Sequence, residues 1–231
     1  MSVSGKLVVI AGATSASGRA AASELKMNGA RVVAVGRDGG KLKDLSDALG
    51  GLRTEVCELA DELAVAGLAQ RVHHAEGAVD GVLHLVGGWR GGGGLAGQSE
   101  ADFRFLEQSF TALRHVSRAF DADLRASEAG RLAVVSSTAV ARPLAGGANY
   151  AAVRAATEAW SRAVAHGFAK GARDSGQPLA AASVIFRVSS LAGLEKDLAR
   201  RFAELWITPA SEINDTIIEL SVNVQPEIGH P

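Results

Sequence analysis

Leu7-Val8-Val9-Ile10-Ala11-Gly12-Ala13-Thr14-Ser15-Ala16-Ser17-Gly18 decides the fold. Five apolar residues in succession fit a strand buried on both faces, as in a parallel sheet. The small-residue turn that follows leads into a helix over about Arg19–Asn28, closed by Gly29. Arg31-Val32-Val33-Ala34-Val35 is then a second buried strand, ending at Gly36-Arg37-Asp38. Two such strands joined through a helix make a right-handed βαβ unit. The turn at Gly12 lies at a helix N-terminus, where backbone amides and the macrodipole favour an anion such as a pyrophosphate.

The alternation continues outward from this unit. Helices are expected over Lys41–Leu49, Asp61–Ala75, Ser99 to about Arg125, and Tyr150 to about Phe168. Strands are expected over Leu52–Leu59, Val79–Val86, Leu132–Val135 and Leu179–Val188. A helix over Leu198–Trp206 follows. Thr208-Pro209 suggests the start of a last helix to about Val222, with Thr as N-cap and Pro at the first position. Asn223–Pro231, with two prolines and a glycine, makes a poor strand. No repeat, linker or composition shift divides the chain, so residues 1–231 read as one α/β domain. The expected fold is a doubly wound parallel sheet, Rossmann-like, of six or seven strands with helices on both faces.

Composition narrows the function classes. The chain has 231 residues, enough for one sizeable core. Net charge is −1 and the charges are dispersed, which argues against nucleic acid or an anionic membrane as partner. One cysteine, Cys57, excludes an internal disulfide framework and fits a reducing compartment. Neither a secretory leader nor an apolar run long enough for a membrane span is read, so the expected location is cytoplasmic. The six histidines show no metal-ligand spacing, and no metal is expected. His84, in the fourth strand, reads as a core histidine with its hydrogen bonds satisfied. Trp89 reads as a wall of a substrate pocket or a cover over the core edge, and Gly91–Gly94 as a flap.

A second stretch carries the chemistry. Val134-Val135-Ser136-Ser137 ends a strand, and thirteen residues after Ser137 comes Tyr150, the only tyrosine. Arg154 follows one helical turn later, on the same face. A hydroxyl, a phenol and a fixed cation are thereby gathered. A unit charge ~4 Å from a phenolate is worth roughly 4 kcal/mol at an effective dielectric near 20. That corresponds to about three pKa units.

Together, the turn at Gly12, the βα order and the Ser-x12-Tyr-x3-cation array resemble the short-chain dehydrogenase/reductase family. The resemblance covers about residues 5–190. It implies a seven-stranded dinucleotide-binding domain that moves hydride between a nicotinamide cofactor and a carbonyl or alcohol. The family's Thr-Gly-x3-Gly-x-Gly falls on Ala11, Gly12, Ala16 and Gly18, which implies cofactor contacts from Gly12, Thr14, Ser15, Ala16, Ser17 and Gly18. Arg37 stands where an acid would bind the ribose of NAD(H); a guanidinium suits a 2′-phosphate, so NADP(H) is favoured over NAD(H). The acid beside the adenine falls on Glu58. The family's Asn-Asn-Ala-Gly falls on Leu85-Val86-Gly87-Gly88, which implies cofactor contacts from Val86 and Gly87.

The implied catalytic group is Ser137, Tyr150, Arg154 and Ser109. Tyr150 would be the general acid and Ser137 would hold the substrate oxygen. Two departures stand out. Arg154 replaces the family's lysine, and Ser109 replaces the asparagine at the end of its proton relay. Arg154-Ser109 chemistry therefore implies weakened catalysis, and the alternative reading is a non-catalytic NADP(H)-binding sensor or regulatory protein. The Pro-Gly usual after strand six is absent, with Arg187-Val188-Ser189 in its place, and the chain ends about where a seventh strand would begin. The helices beginning at Ser99 and Tyr150 are the family's dimerising pair, which implies a homodimer or homotetramer.

Overall fold

The computed structural model describes residues 2–221. The elements follow in the order β1 Leu7–Ala11, α1 Ala16–Met27, β2 Arg31–Gly36, α2 Gly39–Ala48, β3 Arg53–Val56, α3 Glu62–Glu76 and β4 Gly81–His84. Then come α4 Glu100–Ala119, α5 Asp121–Ala126, β5 Arg131–Ser137, α6 Ala148–Ser175, β6 Ala182–Val188, α7 Glu195–Glu204, α8 Ala210–Ile213 and β7 Thr216–Leu220. All seven strands are parallel, in the order β3-β2-β1-β4-β5-β6-β7. The order reverses between β1 and β4, the crevice where doubly wound sheets bind ligands.

Alternation along each strand divides the core into two layers. Val8 and Ile10 face a layer with Ala21, Leu25, Leu198 and Phe202 from α1 and α7. Leu7 and Val9 face the other, with Leu68, Val72, Val116 and Phe168 from α3, α4 and α6. Both faces being covered explains why the strands read as continuous apolar runs.

Most expected boundaries move by a few residues, and the changes in two helices bear on the site. The helix from Ser99 breaks at Phe120, whose core-directed ring is fully buried, and a short α5 follows. The helix expected to open at Tyr150 begins two residues earlier and runs 28 residues to Ser175.

The C-terminal reading requires correction. The expected helix to about Val222 is one short turn, α8, with Pro209 at the N-cap position rather than inside the helix. Asn214 then ends it and ties both neighbours down. Its Oδ1 accepts from the Ser183 amide at 3.0 Å, and its Nδ2 donates to the Ala165 carbonyl at 3.0 Å. Asp215 takes a left-handed φ of 64°, which turns the chain into β7 beside β6. A seventh strand therefore exists inside the segment read as helix. Thr216-Ile217-Ile218 is β-branched and favours it. Asn223–Pro231 lies outside the described residues.

Arg131 anchors this region at the same, N-terminal end of the sheet, paired in register with Ala182. It is 2% exposed and pairs with no carboxylate among the described residues; its guanidinium donates to the carbonyls of Leu205, Gly130, Ala180 and Thr208 at 2.9–3.1 Å. Burial pushes its pKa down to about 10.

Candidate active site

The strands deliver their C-terminal ends to one open cleft with two lobes. The larger lobe, about 990 Å³, is lined by Ser15, Ser17, His84, Val86, Gly87, Ser137, Tyr150 and Arg154, among others. The smaller, about 330 Å³, is lined by Gly12, Thr14, Arg37, Glu58 and Ser109, with Ser15, Leu85, Val86 and Gly87 shared by both.

The turn after β1 is shaped by close approach. Gly12 has φ +89°, and a Cβ there would lie 3.0 Å from the Leu85 backbone. Ser15 caps α1 by accepting from the Gly18 amide at 3.0 Å. At Gly18 a Cβ would sit 2.6 Å from Ala13, so only glycine lets the helix pack onto the turn. Ala16 and Gly18, in the first turn of α1, line neither lobe.

After β2, Arg37 is well exposed, and its Nη1 lies 3.5 Å from Glu58 Oε2. Lys41, three residues into α2, lines the same lobe. Reading along the sequence missed Lys41; its position one turn beyond Arg37 is the signal that would have found it. Lys41 pairs with Asp38 at 3.7 Å as Arg37 does with Glu58; both cations are exposed, and a guanidinium with an ammonium suits a phosphate more than a bare ribose diol.

Around the larger lobe, Ser137 ends β5 and is 3% exposed. Its Oγ accepts from the Ala139 amide at 3.2 Å, which leaves its O–H to donate into the cleft. Tyr150 sits in the first turn of α6, half-buried. Arg154, 9% exposed, puts its Cζ 5.2 Å from the Tyr150 ring centroid and donates through Nη1 to the Val135 carbonyl at 3.2 Å. The guanidinium fits because residue 87 has no side chain; a Cβ there would collide with Nη2. Ser137, Tyr150 and Arg154 thus share one cavity. Ser109 lies apart. Its hydroxyl is taken by the Leu106 carbonyl at 2.7 Å, and it lines the smaller lobe.

His84 differs from expectation. It is buried, with Nε2 3.1 Å from the Ser109 carbonyl, but its Nδ1 has no partner among the described residues. Trp89 lines the larger lobe and is largely exposed, as a pocket wall rather than a core cover. Arg142 lines it as well and was missed, since nothing in its local sequence marks it. The Gly91–Gly94 run is no free flap. Gln98 Nε2 lies 3.0–3.2 Å from the carbonyls of Gly92, Gly94 and Gly146. Gln98 Oε1 accepts from the Asn149 amide at 3.2 Å, and so caps α6 beside Tyr150. Among the described residues no group of three or more metal-ligating side chains is found, and no helix is long and apolar enough to cross a membrane.

Comparison with known proteins agrees with this geometry. The family model described as short chain dehydrogenase matches residues 6–172. A 3-oxoacyl-[acyl-carrier-protein] reductase of Salmonella typhimurium is 26% identical over 169 residues, covering 71% of this chain and 68% of that protein. A metagenomic short-chain oxidoreductase solved with NADP is 26% identical, with TM-score 0.81, covering 96% of this chain and 100% of that one. An NAD+-bound xylitol dehydrogenase has TM-score 0.82 at 16% identity, covering 94% of this chain and 98% of that one; it shares the fold.

Proposed function

Because the chain belongs to the short chain dehydrogenase family, we propose that it is an oxidoreductase that moves hydride between NADP(H) and a small carbonyl or alcohol. One observation carries this reading: the Arg154 guanidinium lies over the Tyr150 ring in the cavity that Ser137 also lines. When bound, the nicotinamide cofactor supplies the hydride. The chain's own residues manage the oxygen and the proton. Ser137 donates a hydrogen bond to the carbonyl oxygen. Tyr150 delivers a proton to it as general acid, and recovers that proton from bulk through the open cleft. Arg154 stabilises the phenolate that results, because a guanidinium stays charged at any working pH.

The cradle fits a dinucleotide. Gly12, Thr14, Ser15, Ala16, Ser17 and Gly18 shape the phosphate turn. Val86 and Gly87 form the bridge between the lobes, and Glu58 edges the adenine side. Arg37 and Lys41 favour the 2′-phosphate, in line with the NADP-bound relative. In this reading the protein works in the cytoplasm as a homodimer or homotetramer built on α4 and α6.

A second reading, an NADP(H)-binding sensor without turnover, draws on the same contact. Arg154 addresses the face of the phenol ring, a cation–π arrangement, and Ser109 keeps its hydroxyl inside α4. The test supplies purified protein with NADPH and a panel of aldehydes, ketones and quinones, beside Arg154→Lys. Turnover by either form supports the enzyme; NADPH binding with no turnover by both selects the sensor.

A further inference from the structure

One buried polar atom of the cleft has no partner. His84 ends β4, is 3% exposed, and lines the larger lobe with Tyr150 and Arg154. Its Nε2 faces the Ser109 carbonyl at 3.1 Å. A carbonyl oxygen only accepts, so Nε2 carries the hydrogen and Nδ1 keeps a bare lone pair. Nothing among the described residues donates to it. Burial lowers the imidazole pKa to about 4, against the raising effect of the Ser109 carbonyl and with the help of the nearby Arg154 charge. At neutral pH the ring is therefore uncharged, and Nδ1 is an acceptor in the lobe that the Arg154 cation also lines.

Packing alone does not explain this residue. An apolar side chain would fill the end of β4 without burying an unsatisfied nitrogen, which destabilises a fold. Arg154 has the complementary surplus. Of its five N–H donors, one is bonded to Val135, and it forms no ion pair among the described residues. The two side chains share no direct hydrogen bond. A water is the group that can accept from one and donate to the other.

We propose that His84 is a positioning residue for Arg154: its Nδ1 accepts a hydrogen bond from a water that the guanidinium also holds. Ser109 then acts through its backbone carbonyl, which fixes the imidazole tautomer, and not through its hydroxyl. The catalytic consequence rests on the oxidoreductase reading above; the hydrogen bond itself does not.

Two measurements test this on the full chain. The first is 15N NMR of histidine-labelled protein, with His84→Phe to identify the His84 signals. The Nδ1 resonance should lie where a hydrogen-bonded imine nitrogen lies, and should move toward the bare lone-pair position in Arg154→Met. A bare lone pair in the wild type, or a resonance that ignores Arg154→Met, overturns the proposal whether or not any substrate turns over. The second is kinetic. His84→Phe should lower kcat about tenfold, leave the KM for NADPH within about threefold, and shift the pH profile of kcat, because one hydrogen-bonded link is lost. His84→Asn, which sets an oxygen acceptor where Nδ1 stood, should recover most of that loss. A folded His84→Phe with wild-type kcat and pH profile would overturn the proposal. If His84→Phe does not fold, His84→Asn identifies the His84 signals instead, and the NMR comparison of wild type with Arg154→Met decides. Absence of NADPH binding by the wild type would sink the oxidoreductase reading and leave the NMR result standing.

Discussion

Gly87 and Arg154 share one volume: a Cβ on residue 87 would occupy the place of the Arg154 Nη2 atom. Residue 87 is the position where the resemblance puts an alanine, and residue 154 the position where it puts a lysine. The longer, forked cation and the missing methyl are therefore two halves of one fit. Gly87→Ala alone should push the guanidinium off the Tyr150 ring, with an overpacking cost of about 1–3 kcal/mol and a fall in kcat of roughly tenfold or more. Gly87→Ala with Arg154→Lys should be milder than the sum of the single changes, with a coupling of about 0.5–3 kcal/mol. Thermal melts and kcat of the four proteins close the cycle. Strict additivity would mean that the two sites are independent.

The two cations beside the smaller lobe predict cofactor choice. Arg37 and Lys41 line it with Glu58. Arg37→Ala should weaken NADPH about 10- to 100-fold, as loss of a charge-assisted hydrogen bond worth about 1.5–3 kcal/mol implies, and should leave NADH nearly unchanged. Lys41→Ala should have a smaller effect of the same sign. Titration of nicotinamide fluorescence reads both. Equal affinity of the wild type for NADPH and NADH would end the argument for a 2′-phosphate site.

Gln98 is the tie between the glycine loop and the helix that carries Tyr150. It meets three carbonyls and one amide across segments about fifty residues apart. Gln98→Ala should release Gly91–Gly94 and fray the start of α6, since no side chain caps that helix locally. Amide exchange at Gly92 should accelerate, because its N–H donates to the Gly146 carbonyl at 2.7 Å. With each lost bond worth about 1 kcal/mol net, the melting temperature should drop by several degrees. Exchange at Gly92 equal to that of the wild type would show that the loop holds itself.

These relationships mark where reading along the chain stops. The Gly12 turn and the Tyr150–Arg154 contact lie within single elements or βα units, so periodicity and spacing reveal them. β7 was hidden because Thr208-Pro209 is a strong local helix signal. The Asn214–Asp215 turn that overrides it works through Ser183 and Ala165, more than thirty residues away in sequence. Gln98 and Gly87 act only across the cleft. His84 was half legible: its burial follows from the strand, but the unmatched nitrogen depends on what α4 and α6 bring to it.

The buried imidazole also sets an acid limit on stability. Its ordinary pKa of 6.5 falls to about 4 in the folded protein, by burial first and then by the Arg154 charge, partly opposed by the Ser109 carbonyl. Between those values the unfolded chain holds a proton that the folded chain does not. Unfolding therefore takes up a proton in that window, and stability rises with pH through it. The contribution is complete above pH 6.5 and is lost as pH falls to about 4. A shift of that size is worth roughly 3 kcal/mol. His84→Asn does not titrate there, so its urea-unfolding curve between pH 7 and pH 4.5 should fall less steeply than that of the wild type. Parallel declines in the two proteins would show that other groups govern acid unfolding, and that the His84 ring takes up its proton in the fold as readily as in water.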